Sequence, residues 1–265
     1  MTTITVPRAA DGSGLLPGTI SVADRTLRKF ARSPQLIGMS VANSAIFLVV
    51  FRYIFGGAIH AGAISYPDFL IPGFVTTMVL FQGMGAAAGA AEDTAQGFFD
   101  RLRSLPVPRA AIIAGRVLAD TVLIVASLVF STAIGFAVGF RLHGSVASGL
   151  AAFALCVAYA FAFTWLFILI GLVAGNPQAA QGMTMIVFPL AFVSSAYVPS
   201  STMPGWLRPV ADNQPLTIMV IAVRHLTEGV PVGHGTGYEV WLSLGWAAVI
   251  IAICAPLATI RFSRG

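Results

Sequence analysis

The sequence predicts an all-α integral membrane protein, with about six transmembrane helices in a single domain. Three observations predict it. Of 265 residues, 57% are hydrophobic and 9% charged, where soluble domains carry about 25% charged residues. The mean hydropathy is +0.87. The apolar runs are continuous and long enough to cross a bilayer core, whereas barrel strands would alternate apolar and polar positions. The basic residues gather beside these runs rather than inside them, which is the pattern of membrane topology.

Residues 1–19 contain Pro7, Asp11, Pro17 and several glycines without an apolar core, so they read as a disordered tail and not as a signal peptide. Residues 20–33 place Arg25, Arg28, Lys29 and Arg32 on one helical face and Ile20, Ala23, Leu27, Phe30 and Ala31 on the other. Ser21 and Asp24 fit a capping box. This segment is too polar to span. It suits an interfacial helix in the headgroup plane, its arginines toward anionic lipid, either as a plain anchor or as a mechanical element. Spans are expected at 36–55, 69–91, 116–140, 146–174, 179–198 and 238–260. The fourth would be roughly 44 Å long at ~1.5 Å per residue, longer than the hydrocarbon core, so it should tilt or protrude.

The segment 199–237 is too long for a turn and too apolar for a solvated loop. Pro204, Pro209 and Pro215 break it, Leu216, Met219, Val220 and Val223 share one helical face, and the apolar stretch ends at Arg224, too short to span. That predicts a re-entrant or interfacial helix pair before the last span. Orientation follows from the Lys and Arg positions. With the N-terminus inside, five precede the first span, four lie in the loop after the second and two follow the last; only Arg141, Arg208 and Arg224 lie outside, while Arg52 can snorkel. Both termini are therefore expected on the cytoplasmic side. The same juxtamembrane placement explains the pI near 9.8 without any nucleic-acid partner.

Several chemistries are missing. Lys29 is the only lysine and Arg28 precedes it, so no Walker A motif exists to cradle a nucleotide. Neither H-E-x-x-H nor G-x-S-x-G occurs, and His60, His143 and His234 fall in expected outer loops. Cys156 and Cys254 both lie in apolar runs and read as small core residues, with no disulfide or metal site. Asp120 is the one plausible carboxylate for an ion-coupled carrier. Arg116 precedes it by one helical turn, so an ion pair at the membrane edge competes with that role. Glu228 and Glu239 are expected at the outer surface.

The most informative stretch is the polar island 92–116, EDTAQGFFDRLRSLPVPRAAIIAGR. It holds three of the ten acidic residues and four of the fifteen basic ones. Phe98, Leu102 and Leu105 form a helical stripe with Phe99 beside it; Asp100, Arg101 and Arg103 lie off the stripe, and Pro106 and Pro108 stop the helix. Such a short amphipathic helix suits a groove in a partner or the lipid surface equally.

The stretch GFFDRLRSLPVPRAAIIAGRVLAD resembles the cytoplasmic loop of type-2 ATP-binding-cassette exporter permeases of the daunorubicin-resistance branch. Met203-Pro204-Gly205-Trp206-Leu207 and Asn213-Gln214-Pro215-Leu216-Thr217 match the same family, and the resemblance extends over nearly the whole chain. It implies one transmembrane domain over 20–265, paired with a second permease subunit, identical or related, in a bacterial cell membrane. It also implies separate ATPase subunits that hold ATP and Mg, this chain binding no cofactor. The loop 92–108 would supply a coupling helix at about 94–105 that inserts into the ATPase. Phe98, Phe99, Leu102 and Leu105 would pack there, Asp100, Arg101 and Arg103 would pair with its charges, Gly97 would belong to the same coupling element, and Pro106 and Pro108 would form the elbow after it. The helix at 20–33, with Arg25, Arg28, Lys29, Phe30 and Arg32, would match the family's connecting helix.

Gly85-x-x-x-Gly89, Gly135-x-x-x-Gly139 and Gly171-x-x-x-Gly175 are small-residue faces suited to tight packing, within one subunit or between two. Asn43, Phe47, Met78, Phe81, Gln82 and Phe188 are candidates for the substrate path, with ordinary packing as the competing role for each. The apolar and aromatic spans suit an amphipathic drug or lipid-like substrate. The alternatives are a polysaccharide or glycolipid exporter of the same family, a stand-alone ion-coupled carrier, and a membrane-embedded enzyme or scaffold, against which the missing catalytic cluster argues.

Overall fold

A computed structural model describes residues 15–31, 38, 42, 45–55, 65–103, 107–198, 200–228 and 236–264. Among them all regular structure is helical. In chain order the elements are α1 (Leu15–Ala31), α2 (Ala45–Ile54, its last turn π-helical), α3 (Tyr66–Ala95), α4 (Phe98–Arg103), α5 (Arg109–Ala137), α6 (Val146–Ala174), α7 (Pro177–Thr184), α8 (Val187–Val193), α9 (Arg208–Asn213), α10 (Pro215–Glu228) and α11 (Thr236–Arg264). Four of the described helices, α3, α5, α6 and α11, are long and apolar enough to cross a membrane.

The fourth expected span coincides with α6 because both ends are written locally. Ser145 caps the start by accepting the Ser148 N–H at 3.1 Å. Gly175, in the left-handed region at φ 70°, ends it by donating to the Gly171 carbonyl at 3.1 Å. The second and third spans begin three and seven residues earlier than expected. Ser65 caps α3 and Pro67 sits in its first turn, a position where its missing N–H costs nothing. The fifth span, expected as one helix over 179–198, is two short helices, α7 and α8. Pro189 explains the break: it cannot donate to the Met185 carbonyl, and its ring crowds that carbonyl. The first expected span lies partly outside the described residues; its described part includes α2. Residues 15–19, expected in the tail, belong to α1.

The core forms around α3 and α6. Leu70 and Phe74 of α3 and Tyr159 and Phe167 of α6 are fully buried there. A second cluster, with Phe99, Ile113, Trp165 and Phe262, joins α4, α5, α6 and α11. α5 and α11 turn Val122, Phe130, Trp241 and Ile253 outward, as lipid-facing helices do. Of the small-residue faces, Gly89, Gly135 and Gly171 pack inside the chain. A Cβ on Gly171 would collide with the Ala87 carbonyl and come within 2.9 Å of the Ala90 Cβ, so glycine is what lets α6 lie against α3. One on Gly135 would meet Ile71 at 2.7 Å, whereas one on Gly85 would meet nothing within 4 Å.

Two buried arginines fasten the bundle, one near each end. Arg116 on α5 donates Nε to Asp120 at 2.8 Å and pairs with Asp93 on α3 through Nη1. All three side chains are at least nine-tenths buried. A Cβ on Gly89 would lie 2.6 Å from Arg116 Nη2, so that glycine provides the room for the guanidinium. The ion pair of Arg116 with Asp120 is therefore present, with Asp93 as a third member that sequence spacing does not reveal.

At the other end, the expected pair of helices before the last span is present as α9 and α10. α10 carries Arg224, whose side chain is buried and used. Its Nη2 donates to the carbonyls of Phe69 (3.0 Å), Ser195 (3.1 Å) and Ala196 (3.3 Å). Its guanidinium stacks on the Phe69 ring at 3.8 Å. His225 pairs with Glu239 and so ties α10 to α11.

Two outcomes test this packing in thermal-unfolding measurements on the purified protein. Gly171→Leu should cost about 1–3 kcal/mol through overpacking and lower the midpoint by several degrees, while Gly85→Ala should leave it unchanged. Arg116→Leu leaves two carboxylates buried without their cation and should cost about 3–5 kcal/mol. Adding Asp93→Asn and Asp120→Asn to it should recover most of that loss.

Candidate functional site at the turn between α3 and α5

The polar island folds into a compact turn. α3 runs on through Thr94, and the chain then reverses at Gln96 and Gly97, with Gln96 N–H donating to the Glu92 carbonyl at 2.9 Å. Gly97 sits at φ 64°, where a side chain would be strained. The short helix expected at 94–105 is α4, Phe98–Arg103; Leu105 and Pro106 lie outside the described residues, as do the side chains of Asp100 and Arg103. Pro108, at φ −56°, precedes the first residue of α5.

The apolar stripe of this helix does not face outward, as expected, but into the chain. Phe99 and Leu102 are 2% and 5% exposed. Phe99 packs edge-on against Phe262 of α11, with ring centroids 5.4 Å apart, and both belong to the cluster that includes Ile112, Ile113 and Val117 of α5. Burying Phe99 among four helices outweighs exposing it, since an aromatic side chain gains about 1.5–3 kcal/mol on leaving water. Phe98 is half-buried, and Arg101 is exposed.

α1 completes the site. It lies along the first half of α5, with Thr19 and Val22 against Gly115. Arg25 holds its guanidinium 4.8 Å over the Phe98 ring. Arg28 pairs with Asp24 at 2.5 Å on the exposed face. Arg32 and the side chains of Lys29 and Phe30 are outside the described residues. On the far side Arg109 Nη1 donates to the Ser263 carbonyl at 2.9 Å and so joins the start of α5 to the end of α11. The clamp of Asp93, Arg116 and Asp120 sits just inside. One end of the bundle thus carries α1, α4 and the ends of α3, α5 and α11. Its exposed charge is mainly basic, from Arg25, Arg28, Arg101, Arg109, Arg261 and Arg264. Among the described residues no group of three His, Cys, Asp or Glu side chains is placed to hold a metal ion. The arrangement is one of packing and charge.

Sequence reasoning missed Asp93, Phe262 and the bond from Arg109 to Ser263. The only local signal for the first was Gly89, one turn before Asp93 on the same face. The candidates for a substrate path fall into two aromatic groups along α3. Phe47 of α2 stacks on Phe51 (4.5 Å) and lies near Phe74 (5.3 Å) and Tyr197 (5.9 Å). Phe81 meets Phe188 of α8 at 5.1 Å. Met78, between these groups along α3, is buried in the core, and Gln82 is half-buried. Asn43 lies outside the described residues.

Residues 18–227, from α1 through most of α10, match the model of the ABC-2 type transporter family. The chain is 34% identical over 244 residues to a daunorubicin resistance ABC transporter permease protein, DrrB1, of Streptomyces coeruleorubidus, covering 91% of this chain and 83% of the relative. It is 24% identical over 251 residues to a probable doxorubicin resistance ABC transporter permease protein, DrrC, of Mycobacterium tuberculosis, covering 93% and 88%. A second Mycobacterium tuberculosis relative, the doxorubicin resistance permease protein DrrB, is 26% identical over 252 residues, covering 89% and 87%. With four helices long and apolar enough to cross a membrane, a family match over most of the chain and drug-resistance permeases among its relatives, this chain is a multi-pass membrane protein that belongs to the ABC-2 type transporter permeases.

Proposed function

We propose that the chain is the membrane-spanning permease of an ATP-driven exporter in a bacterial cell membrane, energised by separate ATPase subunits that hold ATP and Mg. It pairs with a second permease subunit, crosses the membrane six times and keeps both termini cytoplasmic. The observation that carries this reading is the position of α4. It is a short helix clasped between α1 and the end of α11, with Arg101 outward and Phe99 inward, on the basic end of a family permease that lacks a P-loop of its own.

The geometry divides the work of the island differently from a fully exposed helix. Phe98, Arg101 and Arg25 form the surface that meets the ATPase. Phe99 and Leu102 are the roots that hold α4 in the bundle. A push on α4 then has three rigid ways inward: through Gly97 to α3, through Phe99 and Phe262 to α11, and through Leu102 to the wall of α5. The clamp of Asp93, Arg116 and Asp120 makes α3 and α5 respond together, because breaking it would strand buried charge. The same clamp argues against a stand-alone ion-coupled carrier, since Asp120 is already committed to Arg116. For substrate, the names of the relatives and the aromatic groups around Phe47, Phe81 and Phe188 support an amphipathic drug of the anthracycline kind. Flat aromatic ligands stack favourably on such side chains.

Co-expression with a P-loop ATPase encoded beside this chain tests the assignment. Arg101→Glu should leave the permease in the membrane but reduce the co-purified ATPase several-fold, and Phe99→Ala should instead destabilise the permease itself, by about 3–5 kcal/mol. Full ATPase recovery with Arg101→Glu would remove α4 from the interface. In lipid, doxorubicin should stimulate ATP hydrolysis by the pair, and stimulation by a lipid-linked glycan instead would move the substrate to that class.

A further inference from the structure

At the same end of the bundle an open apolar groove of about 570 Å³ runs between α1, α5 and α11. Its floor is the indole of Trp165 on α6, and its walls are cut low by Ala111 and Ala114 on α5 and Ala255 on α11. Beside Ala255, Pro256 interrupts the hydrogen bonding of α11, since proline has no N–H to offer the carbonyl one turn back. Leu16, 76% exposed, forms the lip on α1. The volume is that of an ordinary ligand pocket, about 300–1,000 Å³.

The end of this groove is cationic. Arg109 bridges from α5 to the Ser263 carbonyl one turn beyond the lining residues of α11. Arg261 and Arg264 are exposed on the last turn of the same helix. The acidic residues of α5 and α11 do not neutralise them: Asp120 is held by Arg116, and Glu239 is at the opposite end of α11. An apolar slot with a cationic end matches one amphiphile: an acyl chain joined to a phosphate.

We propose that this groove binds an anionic phospholipid, its acyl chain over Trp165 and its phosphate at Arg109, Arg261 and Arg264. Charge decides against a cationic amphiphile, which would meet like charge at the groove's end. The site requires only that the chain sits in a bilayer, so its failure would leave the exporter reading standing, and loss of the ATPase partner would leave this site standing.

The test uses the full chain with Trp206, Trp241 and Trp246 replaced by phenylalanine, so that Trp165 is the sole reporter among the four tryptophans. The protein is placed in phosphatidylcholine bilayers, and acyl-brominated phosphatidylglycerol or acyl-brominated phosphatidylcholine is added as quencher. Phosphatidylglycerol should quench Trp165 at a several-fold lower mole fraction. The combined Arg109→Gln, Arg261→Gln and Arg264→Gln change should abolish that preference, and the three Arg→Lys changes should keep most of it. Equal quenching by the two lipids, or a preference that survives loss of the arginines, would overturn the proposal. So would relief of the phosphatidylglycerol quenching by doxorubicin, which would make the groove a drug site. If the tryptophan variant does not fold, native mass spectrometry of the unmodified protein decides. Bound phosphatidylglycerol enriched over the membrane and lost with the Arg→Gln changes supports the site, and no enrichment overturns it.

Discussion

Arg116 places a permanent charge between two helices at a depth where an unpaired charge would not be tolerated, and its end of the bundle is arranged around keeping it matched. Asp93 and Asp120 flank it from α3 and α5, and Gly89 leaves the space it occupies. The triad carries one negative charge in excess. Such a group adds little stability over a well-packed apolar core; what it adds is register. α3 can slide or rotate against α5 only by pulling a carboxylate away from its cation, so the two helices that flank α4 hold one relative position.

That constraint gives α4 its mechanical sense. A helix of six residues has no stability of its own. It exists because Phe99 and Leu102 are buried by its neighbours and because Arg25 covers Phe98. Its position is thus a readout of where α1, α5 and α11 are, and a displacement imposed on it reaches all three. The exposed arginines around it mark the side from which such a displacement would come.

Much of this was legible in the sequence where the signal is local. The bounds of α6 follow from Ser145 and Gly175, and the pairing of Arg116 with Asp120 from one-turn spacing; the break at Gly97 lies inside the helix expected at 94–105. What was not legible depends on residues far apart in the chain. The stripe of Phe99 and Leu102 looks the same whether it faces a partner or Phe262, which lies at the other end of the sequence. Asp93 meets Arg116 only because α3 and α5 pack side by side. The role of Arg224 was not legible, because its three backbone carbonyl partners lie far from it in the chain. The divided fifth span was written in Pro189, but a hydrophobic run that long outweighs one proline until the Met185 carbonyl is considered.

Arg224 also sets an order on how the protein can be made. The turn at Ser195 and Ala196 interrupts helical hydrogen bonding, and the donor that satisfies its carbonyls lies 28 and 29 residues further along the chain. A ribosome delivers the acceptors first. Until α10 has emerged and tucked beneath α3, that turn must keep water or the insertion machinery as its partner. That half of the bundle therefore closes late in synthesis, and a chain that ends before α10 would have every helix of the end that carries α4 except α11 and no means of sealing the opposite one.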